Sequence, residues 1–315
     1  MTPTGDPVAA GEVVVALDVG GTGIKCALVA PDGTARHVER HPTGAARGPR
    51  AVVETILTVA EGLAGKARAD GLTPVAVGVA VPGVIDEAAG IAAWSANVGF
   101  RDVPLRDLVT ARLGLPAALG HDVRAGGVAE ARLGAGRESR HVLFVAIGTG
   151  IAAAHVVDGV AATGAHGAAG ELGHVVVRPG GAPCGCGSAG CLETVASAAA
   201  VGRRYSELAG VPATAAEVAA LARTGDALAG QVWRETVDAL ADGLLTAQSL
   251  YDVELIVLGG GLAEADAALL DPLRPALRSR LTFRREPRLV RAALGDEAGC
   301  LGAALLALDR LGRVP

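Results

Sequence analysis

The chain has 315 residues, half of them hydrophobic, with 45 glycines, a net charge of −5 and only 2% aromatic side chains. That length supports a sizeable core, and a glycine share about twice the usual one suits an α/β protein with many tight strand–loop junctions. The acidic balance and the lack of any lysine/arginine run exclude nucleic acid as a natural partner, and the shortage of aromatics argues against base stacking.

Met1–Ala10 has neither a basic region nor an apolar one, so it reads as a short disordered tail rather than a leader. No apolar run reaches the length of a membrane span, and the expected compartment is the cytoplasm. Val13–Leu17 is a continuous apolar run, followed by D-V-G-G-T-G-I-K (Asp18–Lys25) and a second apolar run, Cys26–Ala30, before the turn Pro31-Asp32-Gly33. The pattern is strand, glycine turn, strand. The backbone N–H groups of Gly20 and Gly21 with the Thr22 hydroxyl can cradle a phosphate, and Asp18 at the strand end can hold a hydrated magnesium ion. An ordinary hairpin explains one such turn equally well. The pattern recurs, however: Val142–Ile147 runs into Gly148-Thr149-Gly150-Ile151 and a further apolar run to Val157. A third glycine turn, Gly259-Gly260-Gly261, follows the strand Leu255–Leu258 and can admit an adenosine close to the backbone. Duplicated phosphate-gripping hairpins suggest a two-lobed nucleotide-binding architecture.

Between these turns, Val52–Lys66 has the apolar spacing of an amphipathic helix and Val75–Val81 that of a buried strand ended by Pro82-Gly83. Trp94-Ser95-Ala96-Asn97 is expected in a loop. A short strand, Pro116–Leu119, leads to Gly120-His121-Asp122 and a helical run to Leu133. Asp122 thus stands at a strand-to-helix junction, where aspartate is a favoured N-cap and where α/β sheets also grip ligands. Helices are expected at Glu193–Leu208, Ala215–Arg223, Ala227–Tyr251, Glu264–Leu281 and Asp296–Leu311, and a strand at Arg288–Leu294.

The densest signal lies at Glu171–Glu193. His174, Cys184, Cys186 and Cys191 are spaced H-x9-C-x-C-x4-C, so three of the five cysteines fall within eight residues of one another beside a histidine. A chain of this size with an odd cysteine count is a poor disulfide scaffold. Four such donors match a closed, structural Cys3His zinc site. A zinc-bound imidazole keeps a second nitrogen for a hydrogen bond outward, so Glu171, His174 and Glu193 can serve a ligand's hydroxyl groups. Glu193 also fits the first turn of a helix, and the spacing leaves both readings open. Cys26 and Cys300 sit in apolar runs as small core residues.

Taken together, D-V-G-G-T-x-I, the strand–G-T-G-I repeat, E-L-G-H and C-x-C-G-x-x-G-C-x-E resemble the ROK family of sugar kinases and repressors, from about Val13 to Leu311. The resemblance implies an α/β, actin-like, hexokinase-type (ribonuclease H-like) fold of two lobes with a cleft between them. The expected small lobe is 1–120, rejoined by 299–315, and the large lobe carrying the zinc loop is 121–298. It further implies transfer of the ATP γ-phosphate to the 6-hydroxyl of a hexose, glucose first, with Asp122 as catalytic base. Asn97, His121, Asp122, Glu171, His174 and Glu193 become sugar ligands. Asp18, Gly20, Gly21 and Thr22 become the first phosphate loop, Gly148, Thr149 and Gly150 the second, and Gly259, Gly260 and Gly261 the adenosine turn. The implied cofactors are ATP, magnesium and structural zinc, and a homo-oligomer, dimer or tetramer, is expected. Three positions depart from the family pattern. His121 stands where asparagine usually precedes the aspartate, Gly23 replaces a frequent lysine with Lys25 two residues on, and Ala152–Ala154 replace glycines. The alternatives are a kinase of N-acetylmannosamine or another amino sugar, and a sugar-sensing repressor. A repressor would carry a DNA-binding domain ahead of the first strand, for which a strand beginning by Val13 leaves no room.

Overall fold

The computed structural model describes residues 11–313; the tail expected at Met1–Ala10 lies outside the described residues. The chain divides into two compact units, one formed by 1–129, 163–169 and 296–315, the other by 130–162 and 170–295.

The first unit is built on the hairpin β1 (Glu12–Val19) and β2 (Gly23–Val29), continued by β3 (Ala35–Pro42). After helix α1 (Pro49–Ala69) the chain enters β4 (Thr73–Val81), then the small antiparallel sheet β5 (Val84–Asp86), β6 (Ile91–Ser95) and β7 (Phe100–Val103). Helix α2 (Leu105–Leu113), β8 (Ala117–His121) and α3 (Asp122–Arg132) follow. The main sheet has the order β3-β2-β1-β4-β8, antiparallel through the hairpin and parallel from β1 onward. Side chains alternate across a strand, so Val77, Val79 and Val81 join Ile56, Ala60 and Leu63 of α1 in one core, while Gly78 and Gly120 turn the other way. There the closing helix Ala298–Arg310 lies directly on the sheet: a Cβ built on Gly78 would stand 1.8 Å from the Ala303 carbonyl oxygen.

The second unit repeats the plan. Its hairpin is β9 (His141–Ile147) and β10 (Ile151–Val157), extended by β11 (Val160–Ala161). Helices α4 (Leu192–Ala196), α5 (Ala198–Ala209), α6 (Ala215–Arg223) and α7 (Ala227–Tyr251) come next, then β12 (Leu255–Gly259), α8 (Ala267–Leu281) and β13 (Arg288–Arg291). The sheet order β11-β10-β9-β12-β13 matches the first unit strand for strand, with β12 parallel to β9 and β13 parallel to β12. The duplicated turns of the sequence are therefore a duplicated topology. Val232, Trp233, Thr236, Val237, Leu240 and Leu244 bury one face of α7 at helical spacing.

The structure corrects the sequence reading at several points. The single helix expected over 193–208 is two, because Ser197 adopts an extended conformation and its hydroxyl caps α5 by accepting the Ala200 N–H. Trp94 and Ser95 belong to β6 rather than to a loop. The strand expected to reach Leu294 ends at Arg291. Among the described residues no helix is long and apolar enough to cross a membrane.

The close approach at Gly78 predicts that Gly78→Ala destabilises the protein by about 3 kcal/mol, since backbone cannot move aside as a side chain would. Gly62→Ala, on the open face of α1 with no atom within 4 Å of the added carbon, should instead stabilise by roughly 0.5–1 kcal/mol. Urea unfolding of the two variants checks both signs.

Candidate active site and metal centre

In the first unit, Asp18 lies near the end of β1, paired in register with Lys25 on β2 and Ala80 on β4. The first turn of the closing helix presses on it: a Cβ on Gly299 would stand 2.2 Å from Asp18 Oδ2. Burial raises the Asp18 pKa to about 6, and the negative charge of Asp122 adds to the effect, with Lys25 opposing it. Asp122 opens α3, where its Oδ1 accepts the Val123 N–H at 2.7 Å. Its side chain is 27% exposed, yet the low-dielectric surroundings raise its pKa to about 6 as well, against the lowering effect of that N–H and of Arg124. A carboxylate held so close to neutrality is suited to accepting a proton.

His121 ends β8, almost fully buried. Its Nδ1 lies 3.4 Å from Asp122 Oδ1 and 3.4 Å from the Arg124 backbone nitrogen. The glycine turn Gly20–Thr22 is held by a residue with no sequence signal. Thr43, 0% exposed, donates its hydroxyl to the Gly20 carbonyl at 2.7 Å and its N–H to the Thr22 carbonyl at 3.1 Å. Asn97 is exposed beside this turn, its Cβ 3.4 Å from where a Gly21 Cβ would be. The nearby Ser95 hydroxyl is buried without a hydrogen-bond partner. Lys25 does not reach toward the turn as a phosphate ligand would: its Nζ binds Asp296 Oδ1 at 2.8 Å, on a carboxylate shared with Arg40.

In the second unit, Gly148, Thr149 and Gly150 close the β9–β10 hairpin, with the Gly148 N–H on the Gly150 carbonyl. Glu193 stands in the first turn of α4 and supports this hairpin, its Oε2 accepting the Ile151 N–H at 3.2 Å. A Cβ at Gly150 would meet that same oxygen at 2.3 Å, so a larger residue there would displace the Glu193 carboxylate. Gly259 ends β12, and Gly260, at φ +80°, backs onto the Ile147 carbonyl. The second and third glycine turns thus meet at one end of the sheet. A cavity of about 240 Å³ adjoins the third turn at Gly261, lined also by Leu262, Glu264, Ala215, Ala219 and Arg223.

The four side chains of the H-x9-C-x-C-x4-C pattern converge. One donor atom from each of His174, Cys184, Cys186 and Cys191 lies within 4.8 Å of all the others. His174 turns Nδ1 to Cys184 Sγ at 3.5 Å and Nε2 toward Glu171 Oε2 at 3.6 Å, so one ring nitrogen faces the thiols and the other a carboxylate. Cys186 and Cys191 lie 3.7 Å apart. The loop folds back through the Val176–Cys191 bridge, and Gly190, at φ +76°, passes so near the Arg178 carbonyl that a Cβ would overlap it at 1.7 Å. Four soft or borderline donors in one loop can hold a metal ion. Cys26, Glu39 and His41 also approach one another, but the Lys66 ammonium already pairs with Glu39, and burial pushes the Cys26 thiol to about 11, so this trio is an ion-pair network over a core thiol.

These features define a phosphotransferase-like class: an actin-like, hexokinase-type fold with glycine turns at the strand ends of both units. The chain matches the ROK family over residues 14–310 and belongs to it. It is 35% identical to a glucokinase of Thermotoga maritima, covering 95% of this chain and 98% of the relative. The ROK hexokinase of Thermus thermophilus superposes with a TM-score of 0.84 at 33% identity, covering 95% of this chain and 99% of the other. A ROK family glucokinase of Streptomyces griseus, solved with glucose and AMPPNP, gives 0.81 at 29% identity, with coverage of 94% and 99%.

The thiols differ sharply in environment. Cys186 is exposed and its pKa is lowered, chiefly by the Ser188 backbone N–H, whereas burial drives Cys26 to about 11 and Cys300 to about 12. Alkylation of metal-free protein should therefore label Cys186 first and leave Cys26 and Cys300 unreacted. A stoichiometric thiophilic divalent cation should protect the loop thiols, read by peptide mass spectrometry.

Proposed function

We propose that this protein is an ATP-dependent hexose kinase that phosphorylates the 6-hydroxyl of its sugar, with glucose as the leading acceptor. The observation that carries this reading is Asp122: a carboxylate at a strand-to-helix junction, brought close to neutrality by its surroundings, in the same unit as Asp18 and a glycine turn. Glucokinase and hexokinase relatives spanning nearly all of the chain support it.

In this reading Asp122 takes the proton of the sugar hydroxyl as that oxygen bonds to the γ-phosphorus and the bond to the bridging oxygen of ADP breaks. Phosphoryl transfer asks a protein mainly for alignment and charge neutralisation, and one aligned carboxylate fits that demand. Gly20, Gly21 and Thr22, and Gly148, Thr149 and Gly150, offer backbone N–H and hydroxyl groups to phosphate oxygens. The turn Gly259, Gly260 and Gly261, with the cavity that begins at Gly261, takes the nucleoside. Asp18 suits a hydrated magnesium ion, which when bound neutralises phosphate charge. Asn97, His121, Glu171, His174 and Glu193 serve the sugar hydroxyls, and the unpartnered Ser95 hydroxyl supplies a further hydrogen-bonding group of the kind a polyol satisfies.

His174, Cys184, Cys186 and Cys191 would hold zinc, whose contribution when bound would be structural, fixing the loop and the imidazole orientation. With Nδ1 on the thiol side and Nε2 on the Glu171 side, His174 would keep Nε2 free for a ligand if Nδ1 faced the metal.

Release of ADP, measured by enzyme coupling with ATP and magnesium, should be seen with glucose in a panel that includes mannose, glucosamine and N-acetylmannosamine. Preference for an amino sugar would instead assign that specificity to His121, and silence across the panel would overturn the kinase reading. The base must be unprotonated, so kcat/KM should fall as pH drops through about 6 and level off above it. A flat acid limb down to pH 5 would contradict the assignment of Asp122.

A further inference from the structure

Arg124 lies two residues after Asp122 on α3 and is only 3% exposed. Its guanidinium has two partners. Nε and Nη2 donate to Glu87 Oε1 at 2.9 and 2.8 Å, and Nη1 donates to the Gly167 carbonyl at 3.0 Å. The same Glu87 oxygen also takes the His121 N–H at 3.4 Å. Burial strips a guanidinium of its hydration and is costly unless the group is well paired, so an arginine here calls for a reason that an apolar side chain would not meet.

The partners supply one. Through Glu87 the guanidinium is joined to the backbone of His121, the residue before the proposed base. Through Gly167 it holds Thr163–Ala169, a short excursion that packs with the first unit although the chain on both sides belongs to the second. Gly167 stands at φ +73°, and a Cβ there would lie 2.4 Å from the Ile85 carbonyl oxygen, so the excursion is seated on β5 as well as tied to Arg124. The chain resumes at Gly170, one residue before Glu171 and four before His174.

We propose that Arg124 is a positioning residue of the reaction, one ion-paired side chain that fixes the backbone entering Asp122 and anchors the segment leading into Glu171 and His174. It touches neither sugar nor nucleotide and acts through these residues. The inference rests on the hexose-kinase reading. It predicts an effect on the sugar side alone, because the turns at Gly148–Gly150 and Gly259–Gly261 share none of these contacts. An arginine with a merely structural role would lower stability and disturb both substrates together.

The experiment uses the full chain with its metal, after the wild type has been shown to turn over a sugar. Arg124→Lys keeps the charge but cannot serve both partners in the same planar geometry. It should raise KM for the sugar by about tenfold or more while KM for ATP stays within about twofold, as expected when anchoring rather than binding is lost. Amide exchange over 163–171 should accelerate in parallel. Glu87→Gln asks the same question without touching the arginine, should the first variant not fold. An unchanged sugar KM, or a parallel rise in both KM values accompanied by a lower Tm, overturns the role. A wild type silent on every sugar overturns the kinase reading itself, a result distinct from active wild type with indifferent variants.

Discussion

Removal of water from two carboxylates is the constraint around which the first unit is arranged. Asp18 lies near the end of β1 and Asp122 directly follows β8, with β4 between the two strands; each has its pKa raised to about 6, and burial is the first cause in both. Such sites cost folding free energy at neutral pH, and a fold tolerates the cost when the surroundings fix the carboxylates firmly. Here Gly299 lets the closing helix press on Asp18, Thr43 holds the adjacent turn by two hydrogen bonds, and the Val123 N–H steadies Asp122. The chemistry proposed for the protein depends on this arrangement, since a proton acceptor of ordinary acidity would be a weaker base.

The second unit applies the same topology to a different purpose. Its hairpin turn and the Gly259–Gly261 turn meet at one end of the sheet with backbone groups accessible, and Glu193 braces the hairpin from α4. Glycine is required at Gly260, where φ is +80° and the Ile147 backbone leaves no room for a Cβ. The thiol loop lies in the same unit, so a metal there would stiffen the stretch carrying Glu171, His174 and Glu193.

Much of this was legible in the sequence, for identifiable reasons. Continuous apolar runs at β1, β2, β9, β10 and β12 announced buried strands, and H-x9-C-x-C-x4-C announced a convergent donor set, because both signals are local in the chain. Strand β3 escaped notice because A-R-H-V-E-R-H-P is polar and mostly exposed, its place decided by pairing with β2. Strands β5 to β7 were hidden by their shortness, and the break at Ser197 by the absence of glycine or proline. Thr43, Glu87 and Arg124 carried no signal at all. Each acts through a partner more than twenty residues away, and a polar residue in a helix or turn reads as solvent-facing until the fold shows what covers it.

The central claim is that Asp122 moves a proton rather than holding the sugar in place. The most direct test is to compare Asp122→Asn with the wild type in two measurements on the same preparation, glucose affinity by calorimetry and the rate of phosphoryl transfer in a single turnover. The account predicts glucose affinity within a few-fold of wild type and transfer slower by about 10²–10⁴-fold, the range expected for loss of a general base. A variant that transfers phosphate at nearly the wild-type rate, or that loses glucose binding in proportion to its rate, would contradict it.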